Sequence, residues 1–271
     1  MIQVSFQGEL GAYSEAAAKA FFDEEIKSIP CSTFAEVLQS TTDNETDYSI
    51  LPVENSLEGS VGESYDLLYL TSLNVIGEIY HKIEHCLIGT GKLDEIDTIY
   101  SHPQALGQCR NFIQKYNMKS IPTYDTAGSV KIIKELNKSN FACIASKTAS
   151  VIYDVPIIKK DIANNLNNHT RFLILSKDKS RKTGNDKTSI IFSIKHEPGS
   201  LYRIIENFNI NKVNLTKIES RPTRTNNWEY NFYVDFEGHE KDSQISEMLK
   251  KIKQETLFMK VLGSYPAAKG N

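Results

Sequence analysis

Short apolar strands alternate with helical segments over the first half of the chain. Apolar and polar residues alternate from Ile2 to Phe6, the period of a strand, and a glycine turn then leads into a helix predicted over 15–22. Further strands are predicted at 48–53 and 141–145, with helical segments between them. Strands that alternate with helices predict an α/β fold with a parallel sheet.

Polar side chains stand where several of these strands begin or end. Glu54 directly follows the strand at 48–53, and Ser101 follows another short apolar strand. Thr170 lies where an Asn-rich loop meets the strand-like run 172–175. In α/β sheets, ligands bind beyond the carboxyl ends of the strands. We therefore expect one cleft to gather these three positions.

Some of these positions also have purely structural interpretations. The stretch NNHTRFLIL offers the hydroxyl of Thr170 and the permanent cation of Arg171 to a ligand, yet it also fits a turn before an ordinary strand. Ser101 and Gln104 have capping-box spacing, so Ser101 either caps a helix or contacts a ligand. Ser14 is predicted to cap the first helix. The residues alone leave these alternatives open.

Composition excludes several classes of protein. The 271 residues carry a net charge of -3, which gives no electrostatic basis for nucleic-acid binding. No apolar run approaches the roughly 20 residues that cross a bilayer, so no membrane segment is expected. The amino terminus, MIQVSFQGEL, lacks the basic patch and apolar core of a signal peptide, which favours a cytoplasmic location. The length predicts about two domains.

Cysteine and histidine spacing predicts neither disulfides nor a metal site. The cysteines are scattered and lack CxxC spacing, which favours buried thiols in a reducing compartment. His81 and His85 lie in IGEIYHKIEHCLIG, which is predicted to be one strand. Residues four apart on a strand lie about 13 Å from each other, too far to share one ion. The cysteines are Cys31, Cys86, Cys109 and Cys143.

The carboxy-terminal third has its own order of strands and helices. The charged stretch SKDKSRKTGNDK has no apolar periodicity and is predicted to be a linker rather than a binding site. Beyond it, the order strand, helix, strand, strand, helix, strand is that of a small ferredoxin-like domain. The predicted elements are strands at 188–195, 214–220, 229–236 and 259–262 and helices at 200–208 and 243–254.

Six motifs, in this order along the chain, resemble one known family. They are GAYSEAA, LPVENSLEGSV, SHPQALGQC, NNHTRF, PGSLY and IESRP. The chain resembles the prephenate dehydratases that carry a carboxy-terminal ACT regulatory domain. The resemblance implies a two-lobed, periplasmic-binding-protein-like catalytic domain at 1–178, with lobe one near 1–78 and 158–178 and lobe two near 79–157. It also implies a linker at 179–187 and a βαββαβ ACT domain at 188–264.

The resemblance implies a reaction and the residues that perform it. The family converts prephenate to phenylpyruvate in phenylalanine biosynthesis, losing water and carbon dioxide, and no step calls for a metal or organic cofactor. Thr170 then faces the departing hydroxyl, and because a threonine hydroxyl is a weak acid, it donates or relays a hydrogen bond. Glu54 is the candidate proton source, and Arg171 either binds a substrate carboxylate or packs against the lobe. The implied catalytic residues are Thr170, Glu54, Asn55, Ser101 and Gln108, and the implied substrate-binding residues are Arg171, Asn168 and Ser14.

The ACT domain implies regulation by L-phenylalanine. Gly199 lets the backbone approach a ligand closely, and the helix that follows suits a carboxylate. Pairs of these domains share the effector at their interface, which implies a homodimer or homotetramer. The chain departs from the family's pattern at Asn164, where an acid is common, and at Ser200, where an alanine is common. The implied effector-binding residues are Pro198, Gly199, Ser200, Leu201, Asn214, Glu219, Ser220, Arg221 and Pro222.

Two alternatives stay open at this point. Arogenate dehydratase performs the same reaction on the aminated substrate, and these motifs do not separate the two substrates. A non-catalytic amino-acid sensor of the same fold would only bind, although Thr170, Asn55 and Gln108 argue against it. Because the chain starts directly at the dehydratase strand, we expect a monofunctional enzyme without a chorismate mutase domain.

Overall fold

The computed structural model describes residues 1–223 and 229–268, which form two compact units. The first unit comprises 1–61 and 79–172, and the second comprises the described residues of 62–78 and 173–271. Both contain helices packed on sheets, so the predicted α/β class is confirmed. Within the described residues, no helix combines the length and the apolar character needed to cross a membrane.

Strands and helices alternate along most of the chain up to Ser176. The first group is β1 (Ile2–Gln7), α1 (Tyr13–Phe21), β2 (Ile26–Cys31), α2 (Phe34–Thr42), β3 (Tyr48–Asn55), β4 (Gly59–Ser60), α3 (Gly62–Leu70) and β5 (Asn74–Lys82). The second group is β6 (Cys86–Gly89), β7 (Thr98–Ser101), α4 (Pro103–Gln108), α5 (Arg110–Lys115), β8 (Lys119–Pro122), α6 (Gly128–Leu136), β9 (Phe141–Ala145), α7 (Lys147–Tyr153), β10 (Ile157–Lys159) and β11 (His169–Ser176).

The first unit is built on two sheets. The first sheet has the order β2-β1-β3-β11-β5, with β4 paired to β3, and β1 is parallel to both of its neighbours. The second sheet has the order β10-β6-β9-β7-β8, and β7 is parallel to β8 and β9. Residues 79–82 of β5 and 169–172 of β11 belong to the first unit. The predicted parallel pairing is confirmed for these strands, whereas β6 is antiparallel to both β9 and β10, so the second sheet is mixed.

Apolar side chains of the second sheet and its helices form one core. Leu87, Ile99 and Ile144 come from three neighbouring strands and are fully buried. Burying a side chain of this size stabilises the fold by about 1.5–3 kcal/mol. This core holds β7, which ends at Ser101, and α4, which ends at Gln108.

The cap predicted at Ser14 is wrong, and so is the capping alternative for Ser101. The N-cap residue of α1 is Ala12, so Ser14 lies inside the helix, where it is buried. The N-cap residue of α4 is His102, whose ring accepts a hydrogen bond from the backbone N–H of Gln104. Proline is favoured at the first position of a helix, and Pro103 occupies it here. The cap therefore falls one residue after Ser101, which remains in β7.

The single strand predicted over IGEIYHKIEHCLIG, residues 76–89, is interrupted. β5 and β6 lie on either side of residues 83–85, which leave the ladder. Instead, the backbone N–H of Ile83 donates to the carbonyl of Asn168. The bend directs His85 into the interior, where it is 2% exposed.

The glycine turn between β1 and α1 packs closely against α7. Gly11 has a φ of +91°, and a Cβ at this position would lie 2.7 Å from the Cα of Ala149, so only glycine fits. Its N–H donates to the carboxylate of Glu15 at 2.6 Å, and its carbonyl accepts from the Ser146 hydroxyl at 2.6 Å. These contacts fix the start of α1, which carries Tyr13.

Within the second unit, the described residues of 186–266 have the predicted βαββαβ order. Its antiparallel sheet has the strand order β13-β14-β12-β15, and both helices share one apolar core with the sheet. Each predicted element of this unit is confirmed to within a few residues. The elements are β12 (Asp186–Ser193), α8 (Ser200–Ile210), β13 (Leu215–Pro222), β14 (Tyr230–Glu237), α9 (Ser243–Glu255) and β15 (Phe258–Pro266).

Helix α3 belongs to the second unit, where side chains of the carboxy-terminal sheet donate hydrogen bonds to it. The guanidinium of Arg221 donates two hydrogen bonds to the carboxylate of Asp66, at 3.0 and 3.2 Å. The ammonium of Lys260 donates to the carbonyl of Leu68, near the end of α3. The two units thus divide the chain differently from the predicted domains, whose boundaries stay a prediction.

Candidate functional site

Strands β3 and β11 bring Asn55 and Thr170 together. Asn55 ends β3, Thr170 is the second residue of β11, and the two strands are neighbours in the first sheet. The amide nitrogen of Asn55 lies 3.0 Å from Oγ1 of Thr170, across a separation of 115 residues. The two residues are 5% and 9% exposed. The sheet therefore forms a nearly enclosed hydroxyl and amide pair.

Further side chains extend this contact into a buried polar network. Nδ2 of Asn55 lies 2.7 Å from Oδ1 of Asn168, and Nδ2 of Asn168 lies 2.9 Å from Oε1 of Gln108. Oε1 of Gln108 also lies 2.8 Å from Nε2 of His85. Nδ1 of His85 lies 2.9 Å from the hydroxyl of Tyr13. The buried polar network consists of Thr170, Asn55, Asn168, Gln108, His85 and Tyr13.

Backbone N–H groups fix the direction of the hydrogen bonds. Oδ1 of Asn55 accepts from the N–H groups of residues 57 and 58, at 3.0 and 3.1 Å. The amide nitrogen of Asn55 therefore faces the network and donates. Asn168 then accepts through its oxygen and donates through its nitrogen, so Gln108 must accept. An accepting Gln108 in turn requires a ring N–H on His85.

Burial sets the protonation states at the far end of the network. Burial lowers the pKa of His85, against a smaller raising effect from its hydrogen bond to Gln108. Burial also raises the pKa of Tyr13, which keeps its proton. A neutral imidazole has a single N–H, and Gln108 requires it on Nε2. Nδ1 is then an acceptor, so Tyr13 has one proton for two acceptors, Nδ1 of His85 and the Glu84 carbonyl at 2.7 Å.

Thr170 ends the network with its oxygen as an acceptor. Because Asn55 donates to Oγ1, the hydroxyl proton of Thr170 is directed toward a different partner. Hydrogen bonds in a chain polarise one another, so the amide donor strengthens the hydroxyl as a donor. The arrangement suits a group that hydrogen-bonds a leaving oxygen without surrendering its own proton.

Glu54 and Arg171 are the sequence neighbours of Asn55 and Thr170, but their side chains project to the opposite faces of the strands. Glu54 precedes Asn55 on β3, and Arg171 follows Thr170 on β11. Successive residues of a strand project to opposite faces, so neither shares the face of its neighbour. Arg171 is 4% exposed, about as buried as Asn55 and Thr170. The roles of both residues in catalysis and substrate binding stay predictions.

Ser101, Ser14 and Asn164 lie outside the buried polar network. Ser101 is fully buried, and its hydroxyl donates to the carbonyl of Ile144 at 2.7 Å. The exposed side chain of Asn164 accepts from the backbone N–H of Asn111 at 3.0 Å, at the start of α5. Asn168, by contrast, is central to the network. The roles proposed for Ser101 and Ser14 stay predictions.

A cavity of about 310 Å³ lies beside the turn that precedes α8 in the second unit. Gly199, Ser200 and Leu201, which are three of the implied effector residues, line it together with Ile194 and Phe232. Other implied residues have partners elsewhere, because Arg221 binds Asp66 and Asn214 donates to Glu237. Among the described residues, the lining omits Pro198, Asn214, Glu219, Ser220, Arg221 and Pro222.

His85 and Tyr13 are the members of the network that the sequence did not reveal. His85 enters the sequence argument only as a rejected metal ligand, because the interrupted strand is predicted to be continuous. A histidine inside an apolar run is itself a signal, since a buried ring needs hydrogen-bond partners. Tyr13 lies in the first family motif, GAYSEAA. Among the described residues, no group of three or more His, Cys, Asp or Glu side chains could hold a metal ion.

Comparison with known proteins identifies the family of the first 180 residues. The prephenate dehydratase family model matches residues 4–180. The bifunctional chorismate mutase/prephenate dehydratase of Aquifex aeolicus is 37% identical over 98% of this chain and 74% of its own length. The chloroplastic arogenate dehydratase/prephenate dehydratase 2 of Arabidopsis thaliana is also 37% identical, over 98% of this chain and 73% of its own length.

Solved structures share the fold over nearly the whole chain. A prephenate dehydratase from Arthrobacter aurescens in complex with L-Phe has a TM-score of 0.89 at 29% identity, covering 98% of this chain and 90% of its own. GqqA, described as a novel type of quorum-quenching acylase, has a TM-score of 0.89 at 28% identity, covering 98% of each chain. A shared fold therefore does not by itself fix the reaction.

The fold and the site together define the class of protein. A two-sheet unit that encloses a directed hydroxyl and amide pair, joined to a βαββαβ unit, defines an α/β enzyme with an additional carboxy-terminal domain. The chain belongs to the prephenate dehydratase family. Members of this family are carbon–oxygen lyases of the hydro-lyase type.

Proposed function

We propose that this protein converts prephenate to phenylpyruvate, water and carbon dioxide at the site around Thr170. The observation that supports this most directly is the hydrogen bond from Asn55 to Oγ1 of Thr170. It directs the proton of Thr170 to a second partner, which in this reaction is the departing hydroxyl oxygen. Membership of the family supplies the substrate class.

The proposed reaction breaks two bonds while the ring becomes aromatic. The bond between the ring and its carboxylate breaks, the electron pair enters the ring, and carbon dioxide leaves. The carbon–oxygen bond across the ring breaks, and the hydroxyl takes up a proton and leaves as water. An oriented hydrogen-bond donor stabilises the negative charge that develops on this oxygen, which is the role proposed for Thr170. Glu54 stays the proposed proton source, although its side chain projects to the face opposite that of Asn55 on β3.

Arogenate dehydration is the rival activity within the family, since the Arabidopsis relative carries both activities in its name. The purified protein is assayed with prephenate and with arogenate, and each aromatic product is quantified. We expect the higher kcat/KM with prephenate. A higher kcat/KM with arogenate would assign the other substrate. Binding without turnover of either compound would assign the non-catalytic sensor.

L-Phenylalanine is proposed to bind in the cavity beside α8 and to lower turnover. Ile194, Leu201 and Phe232 suit its aromatic side chain, and Glu197 suits its ammonium group. The amino terminus of α8 suits its carboxylate. The presence of L-Phe in the Arthrobacter aurescens structure supports this choice of effector.

Gly199→Val is expected to weaken L-phenylalanine binding at least about tenfold, which corresponds to about 1.4 kcal/mol. Gly199 has a φ of +82°, and a β-branched residue strains that conformation, so the lining turn must move. Isothermal titration measures the change. Gly184→Val is the matched control, since Gly184 has a φ of +93° in open space and does not line the cavity. Equal binding by the two variants would contradict the cavity as the effector site.

Assembly and location remain proposals. We propose a homodimer or homotetramer, because β13 lies at the edge of its sheet and Ile218 on it is 46% exposed. Light scattering of the purified protein measures the mass of the assembly. The cytoplasmic location also stays a prediction.

A further inference from the structure

We infer that His85 is a positioning residue for the proposed reaction, which acts on Thr170 through Gln108, Asn168 and Asn55. This inference rests on the proposed function of the Thr170 site. His85 is 2% exposed and donates from Nε2 to Oε1 of Gln108 at 2.8 Å. Its role is to hold Gln108, and through it Asn168, in the orientation that matches the donating amide of Asn55.

Packing alone does not decide which amide atoms of the network donate and which accept, so hydrogen-bond partners must fix their orientation. The oxygen and nitrogen of an amide are nearly equal in size, so Gln108 and Asn168 fit their sites in either orientation. If both amides turn over, the nitrogen of Asn168 faces the nitrogen of Asn55. Asn55 cannot turn in response, because its oxygen accepts two backbone N–H groups. The reversed network therefore places two donors against each other.

The backbone carbonyl of Glu84 favours the reversed orientation of the amides. The hydroxyl of Tyr13 lies 2.7 Å from the carbonyl of Glu84, which can only accept. If Tyr13 donates there, Nδ1 of His85 must carry the ring proton in order to donate to Tyr13. Nε2 would then accept from a reversed Gln108. A Gln108 that accepts requires the single proton of the neutral His85 ring on Nε2, whereas a Tyr13 that donates to Glu84 requires it on Nδ1.

The relative costs decide between the two directions. The reversed network leaves a buried N–H group without an acceptor, which is rare in folded proteins. The forward network only makes two acceptors compete for the proton of Tyr13, and an under-satisfied carbonyl is less rare. The fixed amide of Asn55, which donates to both Asn168 and Thr170, therefore sets the forward direction, and neutral His85 with its proton on Nε2 is the tautomer that supports it.

The test compares two substitutions of His85. His85→Leu removes the N–H donor, while His85→Gln places an amide N–H near the position of Nε2. Because small errors in positioning are costly to catalysis, we expect His85→Leu to lower kcat by roughly 10- to 100-fold with little change in KM. We expect His85→Gln to recover most of this loss. Equal losses in two folded variants, or wild-type kcat in folded His85→Leu, would overturn the inference.

A double-mutant cycle separates positioning from a general loss of structure. When two residues act through the same hydrogen-bond network, the effects of substituting them on kcat are not additive. Adding Thr170→Val to His85→Leu should therefore cost a much smaller factor in kcat than adding it to the wild type. Equal factors would show that His85 does not act through Thr170.

A measurement on the wild-type protein does not depend on activity. Nitrogen-15 NMR of the histidine rings at neutral pH reports which ring nitrogen carries the proton. We expect a neutral ring with the proton on Nε2 for His85, assigned by its loss in His85→Gln. A proton on Nδ1 would overturn the inference even in an active enzyme. If the proton is on Nε2 but the protein does not turn over prephenate, the proposed function is wrong while the inferred hydrogen-bond direction stands.

Discussion

Thr170→Val is expected to fold like the wild type and to lose about a hundredfold or more of kcat, which is the usual cost of one oriented donor at a developing oxyanion. Valine has nearly the same shape as threonine and favours a strand, so β11 keeps its packing. Asn55 loses one acceptor but still donates to Oδ1 of Asn168 at 2.7 Å. The hydrogen bond to the substrate is the main loss, so kcat changes more than stability.

Thr170→Ser is the matched control for this prediction. Serine keeps the hydroxyl that accepts from Asn55 and donates onward, and it removes only the methyl group. We expect kcat within about tenfold of the wild type, together with circular dichroism and thermal unfolding like those of Thr170→Val, because a serine donor of the same kind remains in place. A folded Thr170→Val variant with near wild-type kcat would remove Thr170 from the mechanism.

The repeating pattern of the chain predicted the fold well. The βαββαβ unit follows from periodicity, because each strand and helix has one apolar face that packs into a common core. The interruption of the strand predicted over 76–89 did not follow from periodicity. The backbone N–H of Ile83 donates a hydrogen bond to the carbonyl of Asn168, which is distant in sequence. The local alternation of apolar and polar residues carries no information about such a contact.

The site was predicted only in part, for a related reason. Residue chemistry and motif resemblance indicated Asn55, Gln108 and Thr170, and the first sheet and α4 bring these residues together. Which atom donates to which depends on the backbone N–H groups that hold Asn55, and hydrogen-bond direction is a property of the folded geometry. The part of His85 in the network depends on the same direction and on the unpredicted bend.

Asn55→Asp is expected to lower kcat by about a hundredfold or more, because it reverses the hydrogen bond that prepares Thr170. The two side chains have the same shape, and one carboxylate oxygen still accepts from the N–H groups of residues 57 and 58. The other oxygen replaces an amide donor beside Oγ1 of Thr170. A carboxylate can only accept, so the Thr170 proton turns toward it and away from the substrate.

Asn165→Asp is the control for adding one negative charge near the site. The exposed side chain of Asn165 accepts from the backbone N–H of Asn167 at 2.9 Å, and an aspartate keeps that bond. We expect this variant to retain the wild-type kcat. If Asn55→Asp folds and also keeps the wild-type kcat, the direction of the Asn55 to Thr170 hydrogen bond does not matter for turnover. Loss in Asn55→Asp alone means that turnover needs the amide donor at residue 55, which serves both Asn168 and Thr170.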